Sequence, residues 1–360
     1  MHVGLGLFFQ GLDEGEDDHA VVRAQLALAE RAEADGFGSL WTAEHHFTRY
    51  HMMPNPLQLL TYLAGRTRSV RLGTMVMVLP WHDPVRVAEE VAWLDSVSGG
   101  RVLLGLGRGL GRVEFDGFRL DMAESRQRFV EYATTISAGL ETGVLEHQGT
   151  LYRQPRVELH PPPVATFRGR TYATAVSPES AKIMAGLGYG LLLLAQKPWA
   201  TTIAETSAYR ELFADLNGHE PPPPILVSFT TVDRDPARAA ELRARYAFDY
   251  ARSTVEHYEF LNPSLADIPG YEYYAGLHRN ITKHGLDAFN GFLAGLQFGG
   301  TPDEVVEQTL TRARELDLGG VVHLLGFGGM PADVRERNYR TFVEDVLPPL
   351  RAADPHREIG

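Results

Sequence analysis

Ser39-Leu40-Trp41-Thr42-Ala43-Glu44 reads as a short strand, Pro56-Leu57-Gln58-Leu59-Leu60-Thr61-Tyr62-Leu63-Ala64-Gly65 as a helix, and Val70-Arg71-Leu72-Gly73-Thr74-Met75-Val76-Met77-Val78-Leu79 as a second strand. Strand, helix and strand in close succession predict a βα unit and a parallel sheet. The same alternation runs outward in both directions. Strands are expected at 2–9, 39–44, 70–79, 102–107, 171–177, 189–195, 225–232 and 320–327. Several are near-continuous apolar runs, Leu191-Leu192-Leu193-Leu194 among them, as strands buried on both faces should be. Helical patterns fall at 18–35, 56–65, 84–98, 124–142, 178–186, 199–216, 236–253, 302–316 and 331–350. Asp83-Pro84, Ser177-Pro178, Asp235-Pro236 and Thr301-Pro302 each place a capping residue before a proline at the first helical position. Eight strands with helices between them specify an α/β fold of the (β/α)₈ TIM-barrel type, in a single domain.

Two stretches break the rhythm. Residues 148–163, ending in Pro161-Pro162-Pro163, are expected to form a hairpin or surface excursion. Residues 255–295 are rich in Tyr, His and Gly, and an insertion on this side of a barrel reads as an active-site lid.

Composition narrows the function. The chain of 360 residues carries a formal net charge of −12, which disfavours a general nucleic-acid or anionic-membrane surface. It contains no cysteine, which excludes disulfides, thiolate metal sites, Fe–S clusters and cysteine nucleophiles. The first residues lack a basic region followed by an apolar run, and no stretch is long and apolar enough to span a bilayer, so a cytoplasmic protein is expected.

Barrel active sites sit at the C-terminal ends of the strands, so the residues just past each strand are the candidates. They are Glu44-His45-His46-Phe47, Leu79-Pro80-Trp81-His82, Gly105-Leu106-Gly107-Arg108-Gly109-Leu110-Gly111 and Ala175-Val176-Ser177-Pro178-Glu179-Ser180. Glycines let a ligand approach the backbone, an arginine fork matches phosphate oxygens, and Ser177 and Ser180 at a helix N-terminus suit the same anion. Alternatively the glycines only make a turn and Arg108 pairs with Asp121 or Glu114. Glu44-His45-His46 reads as a proton-handling histidine, as a buried structural histidine or as a metal site. Strand alternation sends His45 and His46 to opposite faces, which argues against one shared ion, and no metal is expected.

The residues now in hand resemble the bacterial-luciferase (alkanal monooxygenase) family. The likeness is carried by Trp41-Thr42-Ala43-Glu44-His45-His46-Phe47-Thr48, Asn55-Pro56, Leu72-Gly73-Thr74, Leu79-Pro80 and His82-Asp83-Pro84-Val85-Arg86-Val87-Ala88-Glu89-Glu90. It continues through Gly100-Arg101, Gly105, Arg108-Gly109-Leu110, Phe118, Asp121-Met122 and Ser125-Arg126. It returns more thinly at Gly300-Thr301-Pro302-Asp303-Glu304. The resemblance implies non-covalent reduced FMN (FMNH₂) reacting with O₂ through a flavin peroxide to oxygenate a small or medium organic molecule. On this chain it implies that His45 is catalytic, with Glu44 and His46 orienting it. Arg108 and Ser177 would contact the flavin phosphate, Leu110 the flavin, and Ser180 stands where the family has a threonine. Met75-Val76 matches a non-prolyl cis peptide beneath the isoalloxazine ring. The chain departs from the family at Gly107, which replaces a reactive cysteine, and at Val176, which replaces a glutamate. The substrate-facing residues also differ, so oxygenation carries over and light emission from an aldehyde does not.

No Gly-x-Gly-x-x-Gly stands between a first strand and a helix, so a separate flavin reductase is the expected electron source. The resemblance also implies a dimer packed through early helices such as 84–98; a homodimer is the expectation, and the sequence leaves a non-identical partner open. Phe9, Trp81, Tyr258 and Phe327 suit an aromatic or extended apolar substrate, and core packing explains them as well. Alternatives on the same fold are a deazaflavin-dependent hydride-transfer enzyme and a non-catalytic flavin-binding subunit.

Overall fold

The computed structural model describes residues 1–12, 15, 17–175, 177–353 and 359. The expected strands form, two of them (102–107 and 225–232) over the expected residues and the others shorter than their apolar runs because residues leave the ladder. They are β1 (His2–Leu7), β2 (Ser39–Thr42), β3 (Arg71–Thr74), β4 (Met77–Val78), β5 (Val102–Gly107), β8 (Thr171–Ala173), β9 (Gly190–Leu194), β10 (Ile225–Val232) and β12 (Gly320–Leu324). Parallel pairing runs β12-β1-β2-β3-β5-β8-β9-β10, and β10 pairs again with β12, so the sheet closes into an eight-stranded barrel. The expected 70–79 strand is interrupted. The Met75–Val76 peptide is cis, and the ladder resumes as β4 beside β5. One further short strand, β11 (Phe298–Gly300), adds to the mouth end of β10 and was not foreseen.

Around the sheet lie α1 (Asp18–Asp35), α2 (Pro56–Ala64), α3 (Pro84–Ser98), α4 (Arg112–Phe118), α5 (Ser125–Thr142), α6 (Pro178–Gly186), α7 (Trp199–Asn217), α8 (Pro236–Leu242), α9 (Phe248–His257), α10 (Tyr273–His284), α11 (Leu286–Leu296), α12 (Pro302–Leu316), α13 (Ala332–Thr341) and α14 (Leu347–Ala352). The excursion begins earlier than expected. An antiparallel hairpin of β6 (Val144–Gln148) and β7 (Arg153–Glu158) directly follows the Gly143 cap of α5, whose left-handed backbone turns the chain at once. The helix α4 was missed because its seven residues are too few to show a period.

Alternation along the strands divides the core into two layers. Leu5, Leu7, Leu104, Leu106 and Val321 point outward into the layer shared with the helices. Trp41, Leu103, Tyr172, Val227, Val322 and Leu324 fill the barrel. Trp41 occupies so much of that interior that a Cβ on Gly73 would lie 2.1 Å from its ring. Phe9 and Phe327 are buried in these layers, where they pack in the core. A third apolar cluster lies over the mouth, where Val255, Phe260, Leu265, Tyr271, Ile281, Phe289 and Leu293 from the 255–295 segment meet Phe115 and Met122. The segment is therefore mostly helical and carries its own core.

Candidate active site

A cleft of about 1240 Å³, counting its open mouth, lies between the C-terminal ends of the strands and the 255–295 segment. Its walls include Glu44, His45, Met75, Val76, Arg108, Leu110, Ser177 and Ser180, so the barrel brings together on one cleft residues spread over more than a hundred positions. Of the predicted site residues, only His46 is turned away from it.

Past β2 the chain leaves the ladder and the two histidines part company. Glu44 is fully buried and accepts hydrogen bonds at Oε1 from His46 Nε2 (2.9 Å) and His82 Nε2 (2.6 Å), and at Oε2 from the Val78 N–H (2.7 Å). Burial pushes its carboxyl up, and these three donors more than reverse that, holding it below the usual carboxylate range. Burial likewise pushes the His82 imidazole down, and Glu44 reverses the sign and raises it.

The carboxylate that holds His45 is Glu114, in the first turn of α4. Its Oε1 lies 2.9 Å from His45 Nδ1 and accepts the His46 backbone N–H at 2.9 Å. Burial would raise Glu114, but the facing His45 and His257 imidazoles bring its carboxyl down to about 2. On the other side of the ring, Tyr258 Oη lies 3.3 Å from His45 Nε2. His257 stacks on Tyr50 at 4.4 Å and shares a hydrogen bond with Thr48 through Nδ1. Its Nε2 lies 3.7 Å from Glu114 Oε1, and burial holds its imidazole below the usual range. Donor atoms of His45, Glu114 and His257 lie within 4.8 Å of one another, a spacing one metal ion could bridge. Glu114 Oε2 and His257 Nε2 are buried there with no hydrogen-bond partner among the described residues.

At the other end of the cleft, Arg108 pairs with neither Asp121 nor Glu114. Its guanidinium lies over the Tyr271 ring at 4.0 Å and donates through Nη2 to Gly270 O at 2.8 Å. Tyr271 Oη in turn donates to Gly109 O. The 255–295 segment is thereby fastened to the glycine turn after β5, a partner that lies too far along the chain to be read locally. The buried Nη1 of Arg108 has no hydrogen-bond partner among the described residues. Ser177 caps α6, accepting the Ser180 N–H at 3.2 Å, and the two hydroxyls lie 3.0 Å apart. A free guanidinium nitrogen, two hydroxyls and a helix N-terminus on one cleft fit a phosphate monoester. Val176 lies outside the described residues.

Gly107, where the resembling family has a cysteine, is matched by its neighbour across the cis peptide. A Cβ there would meet Val76 Cγ2 at 2.3 Å. Trp81 and Tyr258 line the cleft, as the sequence allowed.

Comparison with known proteins gives the family and the fold. The luciferase-like monooxygenase model matches residues 1–317. The chain belongs to the luciferase-like monooxygenase family. The alkanal monooxygenase alpha chain of Aliivibrio fischeri is 28% identical over 326 residues, covering 88% of this chain and 90% of that one. A monooxygenase structure from Streptomyces bottropensis superposes with a TM-score of 0.80 at 25% identity, over 97% of this chain and 99% of that one. Two structures at 18% identity share the fold over 97% of this chain and 98–99% of theirs. One is an FMN complex of the oxygenating constituent of 3,6-diketocamphane monooxygenase from Pseudomonas putida (TM-score 0.71), the other an F420-dependent secondary alcohol dehydrogenase (0.70). The fold alone thus accommodates both kinds of redox ring. No described helix is long and apolar enough to cross a membrane.

Proposed function

We propose that the chain is the oxygenase of a two-component system, using O₂ and FMNH₂ from a separate flavin reductase to oxygenate a small or medium organic molecule. The observation that carries the reading is the unpartnered Arg108 Nη1 in the same cleft as the Ser177 and Ser180 hydroxyls, with His45 in that cleft too. Arg108, Ser177, Ser180 and the α6 N-terminus would hold the phosphate, and Met75, Val76 and Leu110 would border the ring system. When bound and reduced, the flavin supplies the electrons that activate O₂, so that one oxygen atom enters the substrate and the other leaves as water.

The chain's own residues hold the proton and keep out water. Glu114, ionised beside His45, keeps a proton on Nδ1 and fixes the orientation of the ring. Glu44 fixes His46 and His82 and so sets the backbone from which His45 projects. The 255–295 segment acts as a cover that keeps bulk water from the reacting atoms. A second copy of the chain packs on α2 and α3, where Tyr62, Trp93 and Val97 are exposed.

Anaerobic titration with FMNH₂, followed by oxygen-uptake measurement with a reductase and candidate substrates, tests the reading. Binding should weaken about 10- to 100-fold in Arg108→Met, the worth of one charge-assisted hydrogen bond. Binding of FMNH₂ without oxygen uptake points to hydride transfer or a non-catalytic role, and no binding overturns the flavin assignment.

A further inference from the structure

The hydrogen bonds around His45 leave its ring with no open nitrogen. Glu114 is held as a carboxylate and has no proton to give, so the 2.9 Å contact requires His45 Nδ1 to be the donor. In the neutral ring Nε2 is then the acceptor, and the group it faces is the Tyr258 hydroxyl at 3.3 Å. Tyr258 lines the cleft, and burial pushes its phenol well above its usual value, so it stays an O–H. Its position is fixed by the end of α9, where its N–H donates to Thr254 O, and by stacking on Phe260 at 5.6 Å.

We propose that Tyr258 carries the proton between His45 and the occupant of the cleft, making Glu114, His45 and Tyr258 a three-residue proton path. In the delivering direction, the Tyr258 O–H proton passes to an acceptor oxygen in the cleft. The Nε2–H proton of doubly protonated His45 replaces it on Oη, and neutral His45 keeps its Nδ1–H on Glu114. In the withdrawing direction the phenol oxygen takes the proton from the cleft while its own proton moves to Nε2. No electrons are exchanged and no further reactant is needed. The groups facing this path are Tyr50 and His51 beside His45, His257 beside Glu114, and Tyr250 and Tyr274 around Tyr258. The arrangement places the proton carrier on the segment that covers the mouth, so the path is complete only when that segment is seated over β2.

The proposal rests on the FMNH₂ reading only for the identity of the cleft's occupant, and its test separates the two. The variant is Tyr258→Phe, which keeps the ring and its stacking and removes one oxygen. The first measurement uses the flavin-free protein: the ¹⁵N resonance of His45 Nε2 in ¹⁵N-histidine-labelled chain, assigned by its loss in His45→Gln. It should move toward the value of a free acceptor nitrogen in Tyr258→Phe, while the Nδ1 resonance stays that of a protonated nitrogen. The second measurement uses the chain loaded with FMNH₂: kcat should fall about 10²-fold, the lower range for a positioned proton donor, with the FMNH₂ dissociation constant unchanged. An Nε2 resonance unmoved by the substitution overturns the proposal, and so does a shifted resonance with wild-type kcat. If the wild-type chain neither binds FMNH₂ nor consumes oxygen, the flavin reading fails, and the ¹⁵N result alone decides this one.

Discussion

Glu114→Gln is the substitution that most directly tests how the site is held. The amide has the carboxylate's shape, so its oxygen can still accept from the His46 N–H and from His45 Nδ1. Two things are lost. The bonds become neutral, and the new NH₂ sits where Oε2 has no hydrogen-bond partner among the described residues. An unsatisfied buried donor costs about 1–3 kcal/mol. The native carboxyl, at about 2 against 4.5 when unfolded, contributes on the order of 3 kcal/mol at neutral pH. Because the folded value is the lower one, that contribution is complete above about 4.5 and disappears as pH falls through about 2. Urea denaturation of both proteins at pH 7, 4.5 and 3 should show Glu114→Gln less stable by roughly 4–6 kcal/mol at pH 7, with the gap narrowing below 4.5 toward the roughly 1–3 kcal/mol of the unsatisfied amide. A gap that stays constant from pH 7 to pH 3 would refute an ionised Glu114 beside His45.

Gly107→Cys restores the family's thiol but drives its Cβ into Val76, so it should lower stability by about 1–3 kcal/mol in thermal unfolding, and Val76→Ala should recover most of the loss. Asp95→Ala leaves the Arg170 guanidinium buried without its 2.9 Å partner and should cost about 3–5 kcal/mol. That pair sits where β5 and β8 begin, at the far end of the barrel, so FMNH₂ binding should be untouched; weakened binding in a folded variant would contradict this. Ser177→Ala removes the α6 cap, worth about 1 kcal/mol in urea denaturation, and should also weaken FMNH₂ binding. Equal affinity in that variant would remove Ser177 from the phosphate site.

The sequence by itself determined the barrel and named one half of the candidate site. Apolar runs alternating with capped helical patterns are local signals, and eight of them admit few closed arrangements. Because the fold puts every strand's C-terminal end at one mouth, residues just past the strands could be named before any coordinates: His45, Arg108, Leu110, Ser177 and Ser180. Tertiary structure decided what those residues touch. His45 is held by Glu114 from a seven-residue helix too short to show a period, and it faces Tyr258, 213 positions along the chain. Arg108 finds Gly270 and Tyr271 rather than the nearer carboxylates that spacing suggested. A partner is chosen by which segments meet over the mouth, and that depends on packing of the apolar cluster in the 255–295 segment, which no local pattern specifies.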